Sequence, residues 1–183
     1  MAVDPIAVIR RFYNPESRAF AILVEHGIAV SEKAVNIARR ITGSNPDIPF
    51  IWEAAMLHDI GIFLTNTSQL DCHGKHPYIR HGILGARILK KLELHRHARV
   101  CECHLGMGIR AAEITAGRLP LPVRDMVPET LEEQIICYAD KFFSKNGGYK
   151  NEEKSISTII EELQPLGDAK IALFHSWMER FEC

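Results

Sequence analysis

Six side chains of metal-ligating type stand in largely apolar, helix-like surroundings along the chain. They are His26 in ILVEHGIAV, the adjacent His58 and Asp59 in AAMLHDIGIF, His81 in YIRHGILGARIL, His104 in CECHLGMGI and Asp140 in IICYADKFF. Imidazole nitrogen and carboxylate oxygen together suit divalent transition metals, and the donor types alone do not choose among Fe, Mn, Zn, Co and Ni. The carboxylate makes the strongest demand. An ionised Asp59 among Met56, Leu57 and Ile60 would cost several kcal/mol, roughly, unless a cation or hydrogen-bond donors meet it. Taken singly, each residue has a plainer account. Asp59 could face solvent near a helix C-terminus, although the helix dipole there favours cations. A lone histidine on an apolar face is more often a core residue than a ligand.

The position of the pair adds to its meaning. Neighbouring side chains on a helix point about 100° apart, so His58 and Asp59 cannot both face inward in mid-helix. In a last turn they can converge. Gly61 then suits a left-handed C-terminal cap, and Ala55, Met56 and Leu57 floor a pocket.

The elements that must carry these residues read as helices. Apolar residues recur every three or four positions and alternating, hairpin-bounded runs are scarce, which predicts an all-α domain. A short helix opens at Asp4-Pro5 and runs to about Tyr13. A second starts near Ser17 and stops at Gly43, with Gly27 as a break or kink. The third spans roughly Pro49 to Ile60, followed by a polar loop to about Tyr78. Helices over Ile79 to Leu92 and about His95 to Leu105 come next, then an irregular segment rich in proline and glycine. Leu131 to Lys145 is helical, ended by NGGY, and two amphipathic helices fill Glu152 to Leu163 and Asp168 to Phe181. Nothing divides the 183 residues into parts, and the expectation is one helical domain over 1–183.

Bulk properties narrow the partners. A formal net charge of -1 gives no reason to expect nucleic acid or an anionic membrane. No run of about 18 apolar residues exists, and the N-terminus lacks the basic start and apolar stretch of a signal peptide, so a cytoplasmic location is expected. Five cysteines without a CxxC pair predict reduced thiols.

The order His26, His58-Asp59, His81, His104, Asp140 resembles the HD-domain superfamily of metal-dependent phosphohydrolases, and LHDIG matches the HDIG form of its signature. The likeness covers about 17–145, leaving the C-terminal helices of 152–181 outside it. It implies an HD-domain-like helical bundle. His26, His58, Asp59 and Asp140 would form a first metal site, and His81 and His104 a second, with Asp59 bridging. The partner implied is a small phosphorylated substrate, nucleotides included, attacked by a metal-activated water that Asp59 orients. Lys141, next to Asp140, and Arg110 are candidates to neutralise substrate charge. Lys75, with His73 and His76, is a candidate phosphate-holding lid. Arg80 and Lys145 are weaker candidates of the same kind. If His81 and His104 do not bind metal, they become candidates for positioning water or protonating the leaving oxygen.

Some of these residues, and their neighbours, admit other readings. Cys72, His73, His76 and His81 could mimic a zinc site but lack a paired CxxC. Cys101 and Cys103 read better as small buried hydrophobes than as redox thiols. His95 and His97 look like a solvated helix start. HD-GYP-type cyclic-dinucleotide phosphodiesterases usually read HDIGK where Ile62 stands here, which argues against that specificity. HD-fold di-iron oxygenases acting on small polyols or phosphonates resemble the same ligand set and form the alternative reading.

Overall fold

A computed structural model describes residues 3–145 and 152–182. The expected NGGY stop and Cys183 lie outside the described residues. Nine α-helices are present among those described: α1 (Pro5–Ile9), α2 (Arg18–Arg40), α3 (Ile48–Leu57), α4 (His81–Lys91), α5 (His95–Cys103), α6 (Ala111–Ala116), α7 (Leu131–Asp140), α8 (Ile156–Leu163) and α9 (Asp168–Phe181). The fold is all-α. Among the described residues one sheet is present, pairing β1 (Asn66–Thr67) with β2 (Cys72–His73), antiparallel, within the loop that the sequence presents as polar.

Side-chain caps start the helices where the sequence offers them. Asp4 accepts from Ala7 N–H, Ser17 from Phe20 N–H and Asp47 from Phe50 N–H. Thr130 and Glu133 form a reciprocal capping box at α7. Apolar faces then pack into two large clusters. One joins α2, α3 and α7 to the C-terminal helices through Ile37, Ile51, Ile136, Tyr138, Phe174 and Phe181. The other gathers Ile9, Leu23, Leu57, Ile60, Leu89 and Cys101. Along α2, His26 falls between Leu23 of the second cluster and Ala29 of the first.

Several boundaries differ from expectation for physical reasons. Helix α2 runs unbroken through Gly27, where a Cβ would come within 3.3 Å of the Met56 backbone. The glycine brings α2 and α3 together instead of kinking α2. Helix α3 ends at Leu57, with His58 at its C-cap. Gly61 is not left-handed: its φ is -82°. A Cβ there would lie 2.3 Å from the His81 carbonyl oxygen and the Gly85 nitrogen, so the requirement is close approach to α4. Helix α7 stops at Asp140 instead of Lys145, and α6 lies within the segment that reads as irregular. Gly108, at φ +84° beside Val127 and Pro128, precedes an isolated bridge between Ile109 and Met126.

His97 is also a correction. It is buried, bonded to Glu53 Oε2 at 3.1 Å and packed edge-on against Phe50, whereas His95 remains two-thirds exposed beside Glu93. The cationic, exposed neighbours of His97 mask the inward face of α5 in the sequence. No helix among the described residues is long and apolar enough to cross a membrane.

Candidate metal centre

Five elements deliver the six side chains: α2 brings His26, the end of α3 brings His58 and Asp59, α4 opens with His81, α5 ends into His104, and α7 ends with Asp140. All six are buried. Their donor atoms form two groups that share Asp59: His26, His58, Asp59 and Asp140 in one, and Asp59, His81 and His104 in the other. In the first, His26 Nε2 lies 3.1 Å from Asp140 Oδ1, 3.3 Å from His58 Nε2 and 3.4 Å from Asp59 Oδ2. In the second, His81 Nε2 lies 3.1 Å from both Asp59 Oδ1 and His104 Nε2. The two carboxylate oxygens of Asp59 thus face different groups.

These separations suit a shared cation. Donors about 2.0–2.1 Å from a common ion are themselves separated by roughly 3 Å. The remaining ring nitrogens support this arrangement. His58 Nδ1 donates to Ala55 O at 2.6 Å, His81 Nδ1 to Tyr78 O at 2.7 Å and His104 Nδ1 to Cys101 O at 2.9 Å. A carbonyl can only accept, so each Nδ1 carries a proton and each Nε2 faces inward, where its lone pair can serve a metal ion once no proton occupies it. His26 Nδ1 is buried without a hydrogen bond, and neither oxygen of Asp59 receives one of good geometry. Lys145 meets Oδ2, whereas Oδ1 faces the imidazoles of His81 and His104, so the buried carboxylate keeps an oxygen for a further cation. The His/Asp cluster fits a divalent metal site.

The electrostatics follow. Burial pushes Asp59 and Asp140 upward, but the opposing charges of His58 and Lys145 on Asp59, and of Lys141 and Lys145 on Asp140, outweigh it and hold both carboxyls well below the usual range. Burial lowers His26 and His104 to about 4, keeping both imidazoles neutral. For His58 burial also acts downward, yet Asp59 and Asp140 raise it to about 9. In the metal-free centre a proton on His58 meets the two carboxylates, and a metal ion competes with that proton for the same lone pair.

Lys141 Nζ lies 3.0 Å from Asp140 Oδ2, and Lys145 Nζ lies 2.6 Å from Asp59 Oδ2. Asp140 and both lysines line a cavity of about 420 Å³ together with Thr67, Gln69, Tyr78 and Lys154. Lys75 and Arg110 are not brought to it. Lys75 is exposed in the turn after β2, and Arg110 sits at the α6 N-cap, its side chain 67% exposed and 3.5 Å from Asp125. His73, Lys75 and His76, expected as a lid, do not line the cavity, whereas Thr67, Gln69 and Leu70 do. The zinc-like set is not assembled, because His81 turns to the second donor group while Cys72 bonds to Leu70 O.

Sequence reasoning missed the braces around the centre. Tyr13 donates to Ile60 O and accepts from Phe63 N–H, pinning the turn after Asp59. Cys101 donates to Leu57 O and Cys137 to His104 O, so these buried thiols act as hydrogen-bond donors as well as core. Burial raises both thiols, Cys137 to about 12, which keeps them protonated. No spacing rule signals Tyr13, since its partners lie far along the chain.

Comparison with known proteins matches the family model "HD domain" over residues 23–144, a span holding all six donors. The chain belongs to the HD domain family. An uncharacterized protein of Methanocaldococcus jannaschii is 40% identical over 121 residues, covering 64% of each chain. Two proteins named tRNA (cytidine(56)-2'-O)-methyltransferase also match this chain. The Picrophilus torridus protein is 40% identical over 62% of this chain and 30% of its own length; the Thermoplasma volcanium protein is 37% identical over 67% and 32%. The HD domain chain therefore spans about a third of those methyltransferases and under two thirds of the M. jannaschii protein. No solved structure matches it.

Proposed function

We propose that the protein is a metal-dependent phosphohydrolase that cleaves a small phosphate ester or nucleotide at a two-metal centre. The observation that carries this reading is the pair of donor groups joined through Asp59 beside a cavity lined by Lys141 and Lys145. His26, His58, Asp59 and Asp140 would hold one ion, and Asp59, His81 and His104 the other. Divalent ions bound there would supply Lewis acidity and a water activated near neutral pH. Asp59 would orient that water. Lys141 and Lys145 hold ammonium groups against this centre, where they would meet developing phosphoryl charge. No side-chain nucleophile enters the scheme.

The lysines favour this chemistry over a di-iron oxygenase, which would use the same six donors. The test is an anaerobic screen of metal-reconstituted protein against phosphomonoesters, phosphodiesters and nucleotides, with oxygen uptake on polyols and phosphonates measured in parallel. Phosphate release without oxygen is the expected result; oxygen uptake with no phosphate release favours the oxygenase. The methyltransferase names point to a second reading, an association with tRNA, which a mobility-shift assay with bulk tRNA tests. The net charge of -1 gives that association no electrostatic drive.

A further inference from the structure

Part of the lining of the cavity beside the metal centre comes from outside the matched family segment. That segment ends at residue 144, whereas Lys154 and Glu162 belong to the chain after it and line the same cavity as Lys141 and Lys145. Lys154 is held firmly. Its backbone N–H donates to Phe142 O at 2.8 Å, and its Nζ donates to Glu162 Oε2 at 2.7 Å. The Lys154 side chain is only 17% exposed, while Glu162 is 54% exposed and reaches in from α8.

The three lysines are not equivalent. Lys141 and Lys145 lie against the carboxylates of the metal centre, Asp140 and Asp59. The partner of Lys154 is Glu162, which takes no part in either donor group. With a reacting phosphate held by Lys141 and Lys145, Lys154 is the lysine of the cavity left for another part of the substrate. Thr67 and Gln69 add polar groups to the walls, and the apolar lining is limited to Leu70, Phe143 and the Tyr78 ring. This composition suits a charged end more than an apolar one.

We propose that Lys154 forms a second anion subsite, so that the substrate carries an anionic group, carboxylate or phosphate, remote from the reacting phosphate. This rests on the phosphohydrolase reading. Glu162 holds Lys154 in place when the subsite is empty and yields it to the incoming anion. The leaving portion of the substrate is thus a small acid, and Lys154 selects it without touching the reacting atoms.

Two phosphonates matched in length and inert to hydrolysis test this: 3-phosphonopropionate, which ends in a carboxylate, and propylphosphonate, which does not. Both are titrated calorimetrically, under nitrogen, into the 183-residue chain loaded with Mn. Wild type is expected to bind 3-phosphonopropionate about tenfold more tightly, the ratio a charge-assisted hydrogen bond supplies. Lys154→Met should bring the ratio near one with propylphosphonate binding unchanged, and Lys154→Arg should keep the preference. Glu162→Gln should increase it, because the competing carboxylate is gone. Equal binding of the two probes by wild type, or a preference surviving in Lys154→Met, overturns the subsite while leaving the phosphohydrolase reading intact. Failure of both probes to bind removes the subsite and that reading together.

Discussion

At the residue scale, the account turns on who meets the charge of Asp59. Its oxygens face two separate sets of imidazole nitrogens, and His81 and His104 approach only one of them. His104→Ala should therefore remove the second ion and spare the first, lowering metal content by about half in dialysed protein measured by elemental analysis. Unchanged metal content would show that His104 is no ligand. The four donors His26, His58, Asp59 and Asp140 were legible as a set because the HD dipeptide and its flanking motifs fix their order. The lysines were only partly legible. Lys141 stands out by adjacency to Asp140, but Lys145 reaches Asp59 only because the chain turns after α7, and Lys75 looked basic and near without facing the cavity. Distance through space, set by turns, is what residue spacing does not report for long flexible side chains.

At the scale of elements, close backbone approach and capping do most of the positioning. Gly61 lets the turn after Asp59 lie directly on the first turn of α4, which carries His81. Gly61→Ala forces two backbones apart, and overpacking of this kind costs about 1–3 kcal/mol. A chain of this size loses roughly 2–4 °C in Tm per kcal/mol, which differential scanning calorimetry measures. A Tm within error of wild type would contradict the packing described. Asp47 caps α3 and pairs with Arg96 at 2.8 Å, and that hydrogen bond holds its carboxyl below the ordinary value of 3.8. A depressed carboxyl pKa contributes stability that is present above the unfolded value and lost as pH falls through the folded one. Asp47→Asn should thus be less stable than wild type at pH 7, with the gap closing below pH 3.8 in urea titrations. A gap independent of pH would point to packing instead of charge. The helical periods were legible because amphipathic stripes are local. The β1–β2 pair and α6 were not, since two-residue strands and a six-residue helix leave too little period to read.

At the scale of the whole molecule, the all-α architecture followed from pattern, while the use of the chain beyond residue 144 did not. Helices α8 and α9 look like ordinary amphipathic cover, yet they supply Glu162 to the cavity and Lys170, which bonds to Gly108 O and Glu113 near the loop that follows His104. Their contribution depends on tertiary docking and has no motif. Five separate elements converge on one buried charged cluster, so an ion bound there favours the folded chain as a whole. Ligand at about a hundred times its dissociation constant stabilises by roughly 2.7 kcal/mol. Chelator treatment should lower Tm and added divalent metal restore it, in the wild type but not in Asp59→Ala, which removes the donor common to both groups.

The most direct test of the centre pairs metal content with turnover in wild type and Asp59→Ala. Freshly purified wild type is expected to hold divalent metal and release phosphate from a phosphate ester, and Asp59→Ala to lose both while retaining the helical circular dichroism of the fold. Metal content and phosphate release equal to wild type in Asp59→Ala would contradict the account.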